Sequence, residues 1–483
     1  MCSLWSLTQP LYGSPDESAH VVRAVAAGHL QFSGEKTKGD FGFDSEVFRV
    51  PQAYSQGLQY LACILGPQHA AASCLGPFAS GSNQVEIAST AAHYPPTYYA
   101  LVGPVGNLFP NSFGFYAMRI FSSLLSSLLA AWAFGIAMSH GSRTRLIGVA
   151  VALSPMTFSL SGAVNPHGLE IFSAILFWVS CLTIFDLLKS VKEVTRHLNV
   201  ALIVSVFLFA TIRPASFYWM IPSLFIMIAF SGPKEIFTSI IRSRQGKMVV
   251  CVLASGISLS VLLYWLSGVG TSLAAGSEPG YPTLIQNLEI AFDRGDDYFR
   301  YMFGWFGWVE FAAPPLAFYL CIAALVITIT YSSFVANKRK FFVVIFALTM
   351  TFVIPIITEG VKANVAGFGY QGRYTLAFEV GVPIIAMWIP ALKNEFSKIT
   401  NFLLFCLATS SLASLICLNF ALQRYTVGET GPKLWFVSPD WLPPGGFYLL
   451  VPLILVALFS IIYIGISLIR TDEKVSLAHS DLG

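Results

Sequence analysis

The chain divides into a mixed polar segment and a long series of apolar stretches. Residues 1–112 contain no uninterrupted apolar run of 18 residues and carry scattered acidic residues with frequent Gly and Pro. After residue 112, apolar stretches recur near the length of about 20 residues that a helix needs to cross a bilayer. The pattern predicts eleven transmembrane helices, at about 113–138, 146–164, 167–188, 198–212, 214–230, 248–267, 313–336, 341–358, 374–391, 400–421 and 447–469.

The basic residues orient these helices. Sixteen Lys and Arg residues fall in the short loops on one side, and such loops are typically cytoplasmic. We therefore expect a cytoplasmic tail at 470–483 and outward segments at 1–112, 268–312, 359–373 and 422–446. An outward first segment predicts a further transmembrane helix upstream of it. The alternative is a protein with an outward N-terminus that its first helix translocates.

Composition limits the class of protein. The chain has 483 residues, of which 55% are hydrophobic and 11% charged. Soluble globular proteins carry about 25% charged residues, so a water-soluble enzyme is excluded, and so is a disordered chain. A net charge of +3 does not indicate a nucleic-acid partner. The predicted fold class is an all-α polytopic membrane protein, embedded in the lipid bilayer through residues 113–469, with an outward N-terminal loop domain.

The cysteines and histidines add one expectation. Cys63 and Cys74 lie in the outward segment, where the environment permits a disulfide, and we predict a bridge between them. The cysteines inside the spans are expected to be small packing residues. The histidines form no pair with metal-ligand spacing, so the sequence predicts no cofactor and has no readable metal site.

Ionisable residues at membrane depth are costly, so each one needs a reason. Arg119, Glu170, Arg213, Arg373 and Glu379 all fall in the outer half of the membrane in the predicted topology. Snorkelling or helix-end pairing explains any one of them. Their shared side favours a functional site at the outer face.

The segment Pro15-Asp16-Glu17 predicts the start of a helix, because Pro suits the first turn and acids suit the positive end. In one interpretation the two acids only cap this helix. In the other, Asp16 is a general base with His20 one turn later.

Two aromatic segments have open alternatives. The segment 93–99 contains prolines that interrupt a helix. Its tyrosines form either a belt at the membrane interface or a stacking surface for a sugar. The run 298–308 predicts a helix or re-entrant segment on the outer interface of the membrane. The alternative is that its aromatic residues only anchor the protein at that interface.

Five short motifs together resemble domain-of-unknown-function family 2142, a group of bacterial multi-pass membrane proteins. They occur in family order over nearly the whole chain: Pro15-Asp16-Glu17-x-Ala19-His20-x-x-Arg23-Ala24, His93-Tyr94-Pro95-Pro96-x-Tyr98-Tyr99, Asn165-Pro166-His167-Gly168, Phe306-Gly307-Trp308 and Gln371-Gly372-Arg373-Tyr374. The family resembles the GT-C glycosyltransferases. Those enzymes use a polyprenyl-phosphate sugar and carry a catalytic acid or Asp-Glu pair in a large first outer loop.

The sequence departs from the family pattern at two points. Family members usually have a transmembrane helix before the Pro-Asp-Glu motif, and the ten residues before Leu11 are too short for one. The third motif usually reads Asn-Pro-Asp-Gly, whereas His167 stands at the Asp position here. Glu170, one turn later, is the expected substitute for that acid.

The resemblance implies a membrane glycosyltransferase. It would move a sugar from a polyprenyl-phosphate donor to a cell-envelope glycan, lipid or protein at the outer face, with inversion. Asp16 is the expected base, and Glu17 is expected to orient it or bind the acceptor. Arg373 and Arg213 are the first choices for the donor phosphate. The predicted substrate-binding residues are His20, Arg23, Arg119, His167, Glu170, Arg213, Arg373 and Tyr374.

Two other classes remain open at this point. A transporter or flippase of lipid-linked saccharides would predict polar residues in both membrane halves and internal pseudo-symmetry. The sequence has one-sided acids and no visible repeat, which favours the enzyme. An inactive relative that acts only as a membrane scaffold is the third class.

Overall fold

The fold is built mainly from helices packed around one central helix. The computed structural model describes residues 1–38, 44–65, 71–139, 143–268, 282–389 and 396–480. Among these residues, seven helices are long and apolar enough to cross a membrane, or nine when each of two bent pairs counts as one span. The predicted class, an all-α polytopic membrane protein, is confirmed.

The first hundred residues fold into helices and a small sheet. The helices are α1 (Cys2–Thr8), α2 (Glu17–Gly28), α3 (Gly57–Leu65) and α4 (Thr97–Leu108). The strands β1 (Glu35–Lys38), β2 (Asp44–Pro51) and β3 (Gln84–Ser89) form an antiparallel sheet in that order. Helix α2 packs on α4 and on β2. The chain makes a short 3-10 turn at Thr90–His93 before α4 begins, so the interruption expected from the prolines is confirmed.

The central part of the chain alternates long helices with shorter or bent ones. In chain order these are α5 (Ser112–Ser139), α6 (Arg143–Val151), α7 (Pro155–Ser161), α8 (Pro166–Lys189), α9 (Arg196–Ile212), α10 (Phe217–Ser231), α11 (Pro233–Arg242) and α12 (Arg244–Leu266). Helix α8 is the centre of the bundle, because 89% of its apolar window is buried. Its apolar residues surround it on every side, as a fully enclosed helix requires.

A compact polar insertion and the last membrane helices follow. The insertion contains α13 (Leu284–Asp293), α14 (Gly295–Phe303) and the paired strands β4 (Trp305–Phe306) and β5 (Phe311–Ala312). The remaining helices are α15 (Pro315–Val335), α16 (Lys338–Ala366), α17 (Leu376–Glu379), α18 (Gly381–Ala386), α19 (Phe396–Thr426) and α20 (Gly446–Ser480). Helix α20 lies at the periphery, with 11% of its apolar window buried.

Several predicted spans differ from the helices observed. The span 146–164 is two helices, α6 and α7, bent by 68°, because Pro155 cannot continue the preceding helix. The span 374–391 contains only the short helices α17 and α18, and residues 390–395 lie outside the described residues. The span 198–212 corresponds to α9, which has 17 residues.

The predicted outer and tail segments also contain helix. Helix α16 continues to Ala366 and α19 to Thr426, so each extends into a segment expected to be a loop. Helix α20 continues past the predicted end of its span to Ser480. Residues 269–281, within the second predicted outward segment, and residues 481–483 lie outside the described residues.

Candidate functional site

The site forms where the N-terminal ends of α2 and α8 meet the 3-10 turn Gly372–Thr375. Asp16 is the N-cap residue of α2 and has φ 60° and ψ 5°, the left-handed region that few residues other than glycine adopt. Its side chain makes no capping hydrogen bond. Its Oδ2 instead lies 3.3 Å from Nη2 of Arg373, and half of the side chain is exposed. The helix-capping interpretation therefore does not describe Asp16.

Glu17 points the opposite way and is completely buried. Its carboxylate accepts two hydrogen bonds from Arg119, at 2.8 Å from Nε and 2.5 Å from Nη2. The Oε1 atom also accepts a hydrogen bond from the backbone N–H of Val164 at 2.9 Å. Such a two-pronged ion pair is strong and specific in geometry. An acceptor substrate has no access to Glu17, contrary to one of the two roles predicted for it.

Arg119 has no donor left for a phosphate. Its Nη1 donates to the carbonyl oxygens of Ser6 and Gln9, at 3.2 Å and 2.8 Å. Its Nη2 also donates to the carbonyl of Pro10 at 2.8 Å. All five N–H groups of the guanidinium are thus used within the protein. The expectation that Arg119 binds substrate is not supported by this geometry, which fits a structural role.

The Glu17–Arg119 pair fixes the loop that carries Asp16. It joins α2 to α5 and to the chain between α1 and α2, and Val164 adds the segment before α8. Asn165 strengthens the same junction, since its Nδ2 donates to the carbonyl of Pro15 at 3.1 Å. Its Oδ1 accepts the backbone N–H of His167 and caps α8. The backbone around Asp16 is therefore held on both sides.

Arg373 is the cation nearest to Asp16. Its Nε donates to Oε1 of Gln371 at 2.5 Å, and its guanidinium lies 5.1 Å from the ring centre of Tyr374. Its Nη1 has no hydrogen-bond partner among the described residues. The neighbouring Gly372 is required by a close approach, because a Cβ there would lie 1.7 Å from the carbonyl oxygen of Tyr298.

A second cation, Arg213, also lies near Tyr374. Its guanidinium is 5.6 Å from the Tyr374 ring centre, and its Nη1 donates to Oε2 of Glu170 at 2.9 Å. Ser216 donates to the other carboxylate oxygen of Glu170 at 3.0 Å. The remaining N–H groups of Arg213 have no partner in the described part of the chain. Two guanidinium groups with unused donors thus lie near one aromatic ring.

His167, at the position where an Asp was expected, is buried between these groups. Its ring stacks on Tyr374 with centres 5.9 Å apart. Its Nε2 is 3.7 Å from Oε2 of Glu170 and has no hydrogen-bond partner among the described residues. His167 and Glu170 therefore line the interior side of the cation cluster and support Arg213 and Tyr374.

His20 and Arg23 lie on α2, about one and two turns after Asp16. The Nδ1 of His20 is 2.8 Å from the hydroxyl of Tyr99. The pKa of His20 is lowered to about 4, mainly by burial and also by Arg213 and Arg373, against the opposite effect of Asp16. Arg23 is buried with its guanidinium 5.1 Å from Phe48. Both residues were predicted to bind substrate. In the structure His20 also contacts Tyr94, and Arg23 also contacts Tyr99.

Sequence reasoning missed Ser216, whose hydroxyl supports the carboxylate of Glu170. Tyr99, which lies within hydrogen-bond distance of His20, was considered only among the tyrosines of the segment 93–99. Ser216 follows Arg213 by three residues, across Pro214, which disfavours a continuous helix there. That spacing is the signal that could have indicated it.

The chain also brings Cys63 and Cys74 together. The two residues form a disulfide with their Cα atoms 5.7 Å apart. The bond ties α3 to the 3-10 turn Ala72–Cys74. Within the described ranges, no three His, Cys, Asp or Glu side chains gather closely enough to hold a metal ion.

Comparison with known proteins identifies a matching family. The sequence model of a family described as predicted membrane protein (DUF2142) matches residues 1–382. The matched region runs from α1 to the start of α18, and so includes every residue of the cluster around Asp16. No protein of curated function and no solved structure matches the chain.

Proposed function

We propose that this chain, which belongs to the DUF2142 family of predicted membrane proteins, is a glycosyltransferase. It would move a sugar from a polyprenyl-phosphate donor to an acceptor of the cell envelope, at the outer face of the membrane. One observation carries the proposal. Asp16 is half exposed, is not used as a helix cap, and lies 3.3 Å from a buried arginine.

The proposed step is a single displacement. The acceptor hydroxyl gives its proton to the carboxylate of Asp16 while its oxygen bonds to the anomeric carbon of the donor sugar. The bond from that carbon to the phosphate oxygen breaks, and the electron pair leaves with the polyprenyl phosphate. One displacement inverts the anomeric centre. General base catalysis of this kind contributes about 10²- to 10⁴-fold in rate.

The two arginines would stabilise the leaving phosphate. Arg373 and Arg213 keep unused N–H groups near Tyr374, and guanidinium groups suit the geometry of phosphate oxygens. Charge develops on the phosphate as the bond breaks. Fixed donors that meet this charge lower the barrier, because they need no reorganisation during the reaction.

The supporting residues explain why these cations stay in position. Glu170 binds Arg213 through a contact of 2.9 Å and is itself held by Ser216. Gln371 fixes the Nε edge of Arg373. We propose that Glu170 supplies the acidic group of the third motif, and that His167 fills the space beside Tyr374 as a neutral partner.

The outer location of the site is part of the proposal. It rests on the distribution of basic residues, which predicts that the N-terminal segment and the insertion before α15 face outward. The donor would enter from the lipid phase with its polyprenyl chain still in the membrane. The acceptor would approach from the aqueous side, where Asp16 is exposed.

The test uses the purified full-length chain in lipid nanodiscs. It receives polyprenyl phosphates that carry radiolabelled sugars, together with an extract of cell-envelope acceptors. We expect sugar-free polyprenyl phosphate and a glycoside with the inverted anomeric configuration as products. If the chain forms no glycoside but moves intact lipid-linked sugar across a vesicle bilayer, it is a flippase and the proposal is wrong.

A further inference from the structure

The aromatic run on α14 and β4 has two different faces. Tyr298, Phe303 and Phe306 are buried. Tyr301 and Trp305 are half-buried. A segment that served only as an interfacial anchor would present its aromatic rings to the membrane interface. The division into a packed face and a partly open face indicates a more specific use for the open rings.

Strand geometry produces the open face. Successive side chains of a strand point to opposite sides, so Trp305 and Phe306 of β4 face apart. Phe306 stacks on Trp5 with ring centres 4.9 Å apart. Trp305 meets Tyr301 instead, with ring centres 4.7 Å apart. The Nε1 of Trp305 donates to the carbonyl of Val309 at 3.0 Å, which holds the half-buried ring in place.

The open pair borders the proposed active site. Burial raises the pKa of the Tyr301 hydroxyl, and Arg373 opposes that rise. Helix α14 and the turn Gly372–Thr375 are in direct contact. On the other side, the Nε1 of Trp308 donates to the carbonyl of Tyr12 at 2.9 Å, so the same segment reaches the loop that leads to Asp16.

A carboxylate lies on the same helix face as Tyr301. Asp297 precedes Tyr301 by four residues, a spacing that brings helix side chains together, and it also acts electrostatically on the Tyr301 hydroxyl. Asp297 makes no hydrogen bond or ion pair to another described residue. Its neighbour Asp296 differs, because it binds Arg300 at 2.7 Å.

We propose that Tyr301, Trp305 and Asp297 form the sugar subsite of the donor. This inference rests on the proposed glycosyl transfer at Asp16. The two rings would stack against the C–H face of the sugar, and Asp297 would accept hydrogen bonds from its hydroxyl groups. The carboxylate also repels anionic sugars, so the subsite selects a neutral sugar over a uronic acid. Binding sites that pair aromatic walls with a few placed polar groups are the rule for small ligands.

The test compares donor binding with and without the sugar. The probes are a polyprenyl-phosphoryl hexose, the corresponding polyprenyl-phosphoryl uronic acid and sugar-free polyprenyl phosphate, each titrated against the chain in nanodiscs. We expect Trp305→Ala and Tyr301→Ala to raise the Kd of the hexose donor about five- to tenfold. The Kd of sugar-free polyprenyl phosphate should not change. Asp297→Asn should reduce the preference for the hexose over the uronic acid.

Matched variants separate the subsite from a change in folding. Tyr319→Ala removes an exposed aromatic ring outside the subsite and should bind the hexose donor like the wild type. Asp296→Asn removes a neighbouring carboxylate that already has a partner, and should leave the preference unchanged. If Trp305→Ala weakens the sugar-free and sugar-bearing lipids equally, or weakens neither, the subsite is wrong.

The outcomes also distinguish the subsite from the proposed function. A wild-type chain that transfers sugar, with variants that bind donor normally, would overturn the subsite alone. A wild-type chain that transfers no sugar and binds the three lipids equally would overturn the glycosyltransferase proposal together with the subsite.

Discussion

Asp16 and Glu17 are consecutive residues with opposite surroundings. The side chain of Asp16 is 52% exposed, whereas that of Glu17 is 0% exposed and pairs with Arg119. The left-handed backbone of Asp16 produces this separation, since it turns one carboxylate toward Arg373 and the next into the protein. Residues in such sparsely populated conformations cluster at functional sites. The two acids of the motif therefore have different expected effects when they are changed.

Asp16→Asn should abolish sugar transfer without unfolding the protein. The amide cannot accept the proton of the acceptor hydroxyl, so the rate should fall by at least about 10²-fold. Half of the side chain is exposed and its one ion-pair contact is with Arg373, so the apparent unfolding temperature should stay the same. Asp44→Asn is the matched control, because Asp44 is 54% exposed and also paired, with Lys38. Transfer at the wild-type rate in Asp16→Asn would remove Asp16 from the role of base.

Glu17→Gln and Arg119→Ala should instead destabilise the fold. Removing one partner of a buried ion pair leaves an uncompensated charge and costs about 3–5 kcal/mol. Arg119→Lys should also lower the stability of the protein. A lysine has too few N–H groups in the right places to reach the carbonyl oxygens of Ser6, Gln9 and Pro10 as well as Glu17. The measurement is the apparent unfolding temperature and the yield of monodisperse protein in detergent.

The exposed pair of Arg49 and Glu86 provides the comparison. Its atoms are 3.2 Å apart and both side chains are more than half exposed, so Glu86→Gln should cost less than about 1 kcal/mol. Equal stability of the Glu17→Gln and Glu86→Gln proteins would contradict the structural role of the buried pair.

Arg373→Ala and Arg213→Ala should weaken the binding of polyprenyl phosphate itself. Each removes a guanidinium that keeps unused donors beside Tyr374, and a lost hydrogen bond to a charged group costs about 1.5–3 kcal/mol, or roughly a 10- to 150-fold rise in Kd. The titration of sugar-free lipid measures this directly. Arg300→Ala is a suitable control, since Arg300 is exposed and, among the residues that the structure describes, forms an ion pair only with Asp296. An unchanged Kd in both arginine variants would exclude the phosphate assignment.

The membrane architecture was largely predictable from the sequence because an apolar run of about 20 residues has few alternatives to a transmembrane helix. The bounds of α5 and α8 lie within one residue of the predicted spans. The break between α6 and α7 was foreseeable from Pro155, which was overlooked. The division of the span 374–391 into the short helices α17 and α18 could not be predicted, because the apolar sequence there does not differ from that of a continuous transmembrane helix.

The sequence allowed the ionisable residues of the site to be predicted, but not which of them contact each other. Arg373 and Asp16 are 357 positions apart, and Arg119 and Glu17 are 102 positions apart. No local spacing encodes which arginine meets which acid. The sequence therefore identified the ionisable residues but assigned Arg119 to the substrate, although folding uses all of its donors. The same limit applies to Arg23, whose burial depends on β2 and α4.

His20 should make the stability of the protein depend on pH. Its pKa is about 4 in the folded state and near 6.5 when unfolded. Between these values the unfolded chain binds the extra proton, so stability falls as the pH is lowered from about 6.5 to about 4, by up to about 3 kcal/mol. His20→Gln should show a shallower fall in apparent unfolding temperature over this range. The exposed His29→Gln should keep the wild-type slope, and identical slopes in all three proteins would contradict the assignment.

The disulfide between Cys63 and Cys74 should stabilise the protein and can show on which side of the membrane the N-terminal segment lies. The bond closes a loop with a sequence separation of 11, for which the chain-entropy estimate is about 3 kcal/mol. The Cys63→Ser/Cys74→Ser double variant should therefore unfold at a lower temperature. In intact cells, a membrane-impermeant maleimide should label the wild-type chain only after reduction, because the segment 1–112 is expected outside.

The double variant controls the labelling, since it retains the other six cysteines and should stay unlabelled in intact cells before and after reduction. Labelling of the wild type that requires broken membranes would put the N-terminal segment on the cytoplasmic side. In that case the outer-face chemistry proposed for Asp16 would be wrong as well, because the base and the disulfide belong to the same segment.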